Sequence, residues 1–434
     1  MENSNPAPLL KAFFVIFITS FLFFYEFSLG NIYDSFGPYI GSAFHLSSTQ
    51  LGLVASLYFY TDLLFLIPAG LIMDRYSPRL VICFVLLISS SGVVLTTWAH
   101  SLTALVILRL LMGFGGGFCL LGCIRIAVNW FDSRYLARVS GFIITMGMLG
   151  GFLVQTPLTL LIHHVGWREA MLVLGLVGYA CMLLIFIIVR DVPKGFEKQA
   201  AARKLLHMDT GLLRCLKMAL LRKQNWCCAL YTGLMNLPIF MLGALWGIPY
   251  LTQVHGMSVT NAATVAGMLY IGTMIGSPLV GILSDVMARR RLPMQLGGVL
   301  AIALILLVMI SGWHNFWFLL IDFLLLGIIT STQIISYPTV IESNSRIISS
   351  SSTCVVSMMC MGGGALIQPL FGYLLAYKGH ATTLITGIDY PAANYEFAMW
   401  ALPIAFLIAL FFTFFIRETH CKNISEEPME DTAK

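Results

Sequence analysis

The sequence predicts an all-α membrane protein of twelve transmembrane helices in two six-helix halves related by pseudo-symmetry. Three observations predict it. Hydrophobic residues make up 58% of the 434 positions and charged residues only 10%, whereas about a quarter of a soluble domain is charged. Twelve apolar runs reach the roughly 18 residues that can cross a bilayer, six in each half of the chain. The chain also repeats itself: Gly70-Leu-Ile-Met-Asp74-Arg75-Tyr-Ser-Pro-Arg79 is echoed by Gly281-Ile-Leu-Ser-Asp285-Val-Met-Ala-Arg-Arg290, at an offset of 281 − 70 = 211 residues.

The runs occupy residues 12 to 36, 50 to 73, 79 to 98, 102 to 127, 137 to 162, 168 to 189, 226 to 251, 261 to 284, 293 to 311, 315 to 341, 348 to 376 and 397 to 416. Helix one holds Glu26 and leaves the membrane at Gly37-Pro38-Tyr39, as helix seven does at Gly247-Ile-Pro249-Tyr250. Proline at these exits is expected to bend or end the helix. Ser47, Ser48 and Thr49 offer an N-cap for helix two. In helix four Gly113, Gly115, Gly116 and Gly117 read as close helix packing. Helix five carries Gly150-Gly151-x-x-x-Gln155 and helix eleven Gly363-Gly364-x-x-x-Gln368, a second duplicated element. Parallel halves of this kind are what a two-domain rocking transporter needs.

Charge gives the orientation. With a cytoplasmic N-terminus, all of the 25 Lys and Arg except Arg109, Arg125, Arg168 and Lys378 fall in cytoplasmic segments, so the positive-inside rule places both termini and the central loop in the cytoplasm. The net charge of +5 then needs no nucleic-acid partner. The expected organisation is residues 1–190 as the N-terminal bundle, 191–224 as a basic cytoplasmic linker, 225–417 as the C-terminal bundle and 418–434 as a cytoplasmic tail. Residues 1–10 lack the basic region and cleavage site of a secretory signal, so the first run is expected to stay as an anchor. No N-x-S/T acceptor lies in the outer loops, which points to a bacterial inner membrane, and no cysteine pattern suggests a disulfide framework or zinc site.

The duplicated loop motif, Gly-x-x-x-Asp followed by Arg, resembles that of the major facilitator superfamily. Trp130-Phe131-Asp-Ser-Arg134-Tyr-Leu-Ala-Arg138-Val-Ser-Gly141, with Gly147, Gly150, Gly151 and Pro157, is similar to its symporter-like branches. The overall pattern resembles phagosomal nutrient transporters of intracellular bacteria and the lysosomal dipeptide transporter. The resemblance implies that helices one, four, seven and ten line a central cavity. It also implies that Asp74, Arg75, Arg79, Asp285, Arg290, Arg125, Arg134 and Arg138 act in gating, as latches at the cytoplasmic helix ends.

Ionisable groups inside a membrane are costly and are functional candidates by default. Here they are Glu26, Asp62, Arg109, Arg125 and Asp322. At about 1.5 Å per residue, Arg109 and Asp322 lie roughly 10 Å below the outer face, Glu26 roughly 15 Å and Asp62 roughly 18 Å. Arg109 is the expected carboxylate binder, because a guanidinium grips carboxylates bidentately. Glu26 is the first expected proton carrier, with Asp322 and Asp62 behind it. Asn31, Asn236, Trp246, Gln333, Tyr337, Gln155 and Gln368 are expected to complete a substrate site; for each, plain packing is the bland alternative. The four charged groups neutralising one another to hold helices together is the corresponding alternative for the layer.

These residues point to a secondary active transporter of a small polar solute, an amino acid or short peptide, working by alternating access with protons. A siderophore or organic-anion carrier, or a non-transporting sensor, is the other reading. No nucleophile elbow, phosphate-binding loop or metal-ligand pair suggests an enzyme. No cofactor is expected, and the partners are the lipid bilayer, the solute and protons, with the chain a monomer.

Overall fold

The computed structural model describes residues 9–131, 133–193, 217–310, 315–344, 349–377, 382–384 and 387–422; for 9, 71, 74, 75, 133–138, 349–350, 382–384 and 387–389 it describes the backbone alone. Among the described residues, twelve helices are long and apolar enough to cross a membrane. Helices one to six are Leu10–Asn31, Ser48–Gly70, Pro78–Thr96, Leu102–Trp130, Val139–Val165 and Trp167–Ile188. Helices seven to twelve are Lys223–Gln253, Val259–Val286, Arg291–Ile310, Phe316–Ser343, Ser351–Tyr377 and Ala392–Thr413. An even number of crossings puts the two ends of the chain on one side, here called the termini side; the other is the far side. Near the far end of helix eleven a short antiparallel hairpin pairs Thr382–Leu384 with Gly387–Asp389. Most of the basic linker lies outside the described residues.

Local chemistry sets where the helices begin. Ser47 caps helix two in a full capping box with Gln50. Ser77, Ser101 and Ser258 do the same for helices three, four and eight through the backbone N–H of Leu80, Ala104 and Asn261. Each satisfies a donor that the first turn leaves open.

The prolines at the exits of helices one and seven do not end them. Helix one continues as Tyr33–Ala43 with Pro38 inside, accepting the loss of one backbone hydrogen bond. Helix seven first widens into a π-type stretch, Ile239–Trp246, and restarts as Gly247–Gln253. Pro249 then falls in the first turn of the new segment, where its missing N–H costs little. A Cβ on Gly247 would overlap the Leu242 carbonyl oxygen, so the junction requires glycine.

The two halves meet along a seam that is shut at the far side. Ser48 Oγ donates to Gly372 O (2.8 Å) and lies 2.9 Å from Tyr390 Oη. Thr156 and Thr264 hydroxyls pair at 3.0 Å, and Phe59 meets Phe240 edge to face at 4.8 Å. Glycine permits backbone contact here: a Cβ on Gly52 would lie 2.5 Å from Gln368 O, and one on Gly372 2.5 Å from Ser48 O. Toward the termini side the same four helices, two, five, eight and eleven, show the opposite. Gly70, Gly141, Gly281 and Gly362 face nothing within 4 Å. Among the described residues, every side-chain hydrogen bond between the halves lies in the middle or far part of the seam.

Candidate functional site: the polar seam

Glu26 and Asp62 come together in the N-terminal half, and Tyr58 stands between Glu26 and Arg109. The glycine run in helix four makes this possible. A Cβ on Gly115 would overlap the Glu26 carboxylate, one on Gly116 would lie 2.8 Å from Asp62 Cγ, and one on Gly117 2.9 Å from Leu66 N. Two carboxyl groups from helices one and two therefore lie against consecutive glycines. Tyr58 joins the acids to the base: its hydroxyl donates to the Glu26 carbonyl (2.7 Å), lies 3.3 Å from Glu26 Oε2, and its ring faces the Arg109 guanidinium at 5.0 Å.

Arg109 itself is fully buried and already engaged. It donates to the carbonyls of Leu29 (2.8 Å), Gly30 (3.4 Å) and Ala55 (3.2 Å) and lies over Tyr33 at 4.3 Å. It staples the interruption of helix one, between Asn31 and Tyr33, to helix two.

Across the seam the C-terminal half contributes a chain of amides. Gln333 Nε2 donates to Asn236 Oδ1 (2.6 Å), and Asn236 Nδ2 to Cys360 Sγ (3.1 Å). Cys360 is within electrostatic range of Asp62. Gln333 Oε1 is buried without a donor. Nothing described donates to the Asp62 carboxylate, which is 5% exposed. Tyr337 lies at the edge, 3.3 Å from Ser357 Oγ.

The remaining amides converge on the widened stretch of helix seven. Gln155 Nε2 donates to Gly243 O (2.5 Å) from the N-terminal half, and Gln368 Nε2 to Phe240 O (3.2 Å) from the C-terminal half. Trp246 Nε1 donates to Gln368 O (3.2 Å). Tyr270 Oη reaches both Gly243 O (2.7 Å) and Asn31 Oδ1 (3.0 Å). Beyond them, at the far end, is a cavity of about 510 Å³ bordered by Tyr39, Ser48, Trp246, Pro249, Tyr390 and Tyr395.

Asp322 is not brought to this cluster. It is buried at the far end of helix ten with both carboxyl oxygens unpartnered, near Tyr250 of its own half. The latch candidates divide. Arg290 joins Asp285 (2.7 Å) and Glu342 (2.7 Å). Arg79 turns to helix six, its guanidinium donating to Phe186 O and lying over the Phe186 ring at 4.9 Å. Arg125 is partly buried. The side chains of Asp74, Arg75, Arg134 and Arg138 lie outside the described residues.

Sequence reasoning passed over four participants. Asp191, after helix six, accepts from Arg79 N (2.7 Å) and Ser77 Oγ. Glu418, after helix twelve, accepts from Arg290 N (2.8 Å) and Arg291 N (2.9 Å). Each half thus ends in an acid that caps its own third helix. Burial works to raise the Glu418 carboxyl, but the N–H groups of Arg290, Arg291, His420 and Thr419 outweigh it and hold the group below its ordinary range. Tyr58 has no sequence signal. Asp34 had one: it satisfies the same rule that singled out Glu26, and it lies four residues before Pro38.

These features define an integral membrane protein of two pseudo-symmetric six-helix halves around a polar seam, the architecture of a secondary transporter. The sequence profile of the Major Facilitator Superfamily matches residues 13–369 and 248–431. The chain belongs to that superfamily.

Among curated proteins it is similar to the probable sulfoacetate transporter SauU of Cupriavidus necator, 26% identical over 62% of this chain and 64% of that one. It is 26% identical to the hexuronate transporter of Bacillus subtilis (58% of this chain, 60% of that one) and 24% to the membrane sensor protein UhpC of Salmonella typhimurium (58% and 60%). The matched stretch thus spans about three-fifths of the length of these relatives. The fold is similar to the crystal structure of a bacterial homologue of the human lysosomal transporter Spinster in an inward-facing, unoccupied conformation. That match has a TM-score of 0.75 at 17% identity and covers 94% of this chain and 98% of that one.

Proposed function

We propose that the protein is a proton-coupled importer of a small polar solute, an amino acid or short peptide, working by alternating access in a bacterial inner membrane with its termini in the cytoplasm. The observation that carries this reading is the Asn236–Gln333–Cys360 chain of the C-terminal half, whose Cys360 end lies within electrostatic range of Asp62 in the N-terminal half. A carboxylate on one wall suits an ammonium group, and amides on the other suit the polar remainder of the solute. Because the two walls belong to different halves, a bound solute bridges them. Its binding energy is then available to the rocking step.

Glu26, next to Asp62 and hydrogen-bonded through Tyr58, is the first proton carrier in this scheme. One proton or one substrate ammonium relieves the repulsion between the two acids. Asp322 is a separate proton site at the far end. Arg109 holds helices one and two in place and reaches a substrate carboxylate only if the carbonyls of Leu29 and Gly30 release it. The Arg290–Asp285–Glu342 cluster acts as a latch within the C-terminal half. No catalytic step or cofactor is involved, and a monomer suffices.

An organic-anion carrier is the second reading, favoured by the names of the sulfoacetate and hexuronate relatives. Substrate-induced thermal stabilisation separates the two, since a ligand of the native state must stabilise it. Purified protein is heated with pools of amino acids, dipeptides, nucleosides, carboxylic acids and sulfonates. The amine reading expects stabilisation by an amine-bearing pool that is lost in Asp62→Asn. Stabilisation by acids alone, unchanged in Asp62→Asn, establishes the anion reading instead.

A further inference from the structure

Asp34 is the acid that the transport scheme above leaves unused. It is fully buried in the far-side extension of helix one, Tyr33–Ala43, and it crosses the seam. Its Oδ1 accepts from the backbone N–H of Ile248 at 2.9 Å, in the segment of helix seven that restarts after the π-type stretch. Its Oδ2 is buried and has no donor. The groups facing it are the Gln155 side chain from helix five, the Gly247 and Ile248 N–H groups from helix seven and the Tyr270 phenol from helix eight. No cation is among them.

An ionised carboxylate buried without a cation is costly. The surrounding hydrogen bonds show what would relieve it. Gln155 Nε2 is committed to the Gly243 carbonyl, which fixes the amide so that its Oε1 is an acceptor, and that oxygen also lacks a donor. The same small volume thus holds two buried oxygens short of a hydrogen. A proton on Asp34 removes the charge and supplies a hydrogen to the two oxygens, Asp34 Oδ2 and Gln155 Oε1, that lack one.

We propose that Asp34 carries a proton whenever the far side of the seam is shut, and that loss of this proton releases helix one from helix seven and opens the far side. The neutral acid fits the closed seam; the ionised acid draws water and is satisfied only when the seam parts. Deprotonation therefore favours the open form, and the far side opens as pH rises. The inference rests on the alternating-access reading, but it concerns gate position rather than solute movement.

The test uses the full-length protein in nanodiscs without added solute, with native cysteines replaced and spin labels at Ala43 and Val259, one on each half at the far side. Wild-type protein is expected to show a longer Ala43–Val259 distance population that grows as pH is raised. Asp34→Asn, a neutral isostere, is expected to hold the short distance at every pH. Infrared difference spectra of the wild type are expected to show a protonated-carboxyl band that disappears as the long population grows and is missing in Asp34→Asn. A wild-type distance indifferent to pH overturns the proposal, as does an Asp34→Asn profile that follows the wild type. A protein that moves no solute but keeps this pH-gated movement defeats the transport reading and leaves the gate standing.

Discussion

The far-side closure depends on two glycines, and replacing either is expected to shift the conformational equilibrium rather than unfold the protein. On Gly52 a Cβ would lie 2.5 Å from Gln368 O, 3.0 Å from Gln368 C and 3.0 Å from Pro369 Cα. All three are backbone atoms, so no side-chain rotation relieves the overlap. Helix eleven must retreat by nearly an ångström to restore ordinary contact. Ser48–Gly372 and Trp246–Gln368 hydrogen bonds hold it in place. Overpacking of this kind costs about 1–3 kcal/mol, and about 1.4 kcal/mol is tenfold in an equilibrium constant. The cost falls on the closed form alone, so the closed-to-open ratio of Gly52→Ala is expected to drop by about 5- to 150-fold at unchanged fold. Gly372→Ala, against Ser48 O from the other side, is expected to match it. Pulsed electron spin resonance between labels at Ala43 and Val259 measures the ratio, and circular dichroism checks the fold. An unaltered distance distribution in both variants would refute the argument that this crossing is set by backbone contact.

Two further outcomes follow from local geometry. Gly247→Ala places a methyl group against the Leu242 carbonyl, so the π-type stretch cannot keep its present path; solute uptake is expected to fall at least tenfold, and normal uptake would show that helix seven bends elsewhere. Glu418→Gln removes the charge that caps helix nine, an effect of about 0.3–1 kcal/mol at a helix N-terminus. Because the Glu418 carboxyl is held below its ordinary 4.5, its contribution is present above that value and lost as pH falls through the lowered one. Wild type and Glu418→Gln are therefore expected to differ in thermal midpoint at neutral pH and to converge in acid, and a constant difference across the range would disprove the cap.

The fold was legible because bilayer physics writes it in plain form. Apolar run length gives the spans, and the doubled Gly-x-x-x-Asp loop gives the two halves. What the sequence concealed was the use made of each polar group. Arg109 and Asp322 look equivalent by position, since 322 − 109 = 213 nearly equals the loop offset of 211. Yet Arg109 is locked onto helix-one and helix-two carbonyls while Asp322 has no hydrogen-bond donor among the described residues. Repeat spacing predicts backbone placement, but hydrogen-bond partners come from the other helices, whose rotation no spacing encodes. Pro249 shows the same limit. As a residue it signals a break, but the break falls before it, at the π-type stretch, where Gly243 and Gly247 leave room.

The engagement of Arg109 bears on the choice between an amine-bearing and an anionic solute. A binder must be free, or must gain more from the ligand than from its present partners. Arg109 is buried, satisfied by three carbonyls and flanked by Tyr33 and Tyr58, and hydrogen bonds to a charged group are worth about 1.5–3 kcal/mol each. A carboxylate would have to replace several of these and also undo the staple across the interruption of helix one. Asp62, by contrast, has no donor to surrender. The site as it stands offers two carboxyl groups on one wall and neutral amides on the other, and its guanidinium is already engaged. Anion transport on this scaffold therefore requires the break in helix one to move during the cycle, whereas transport of an amine-bearing solute requires only that the two walls close on it.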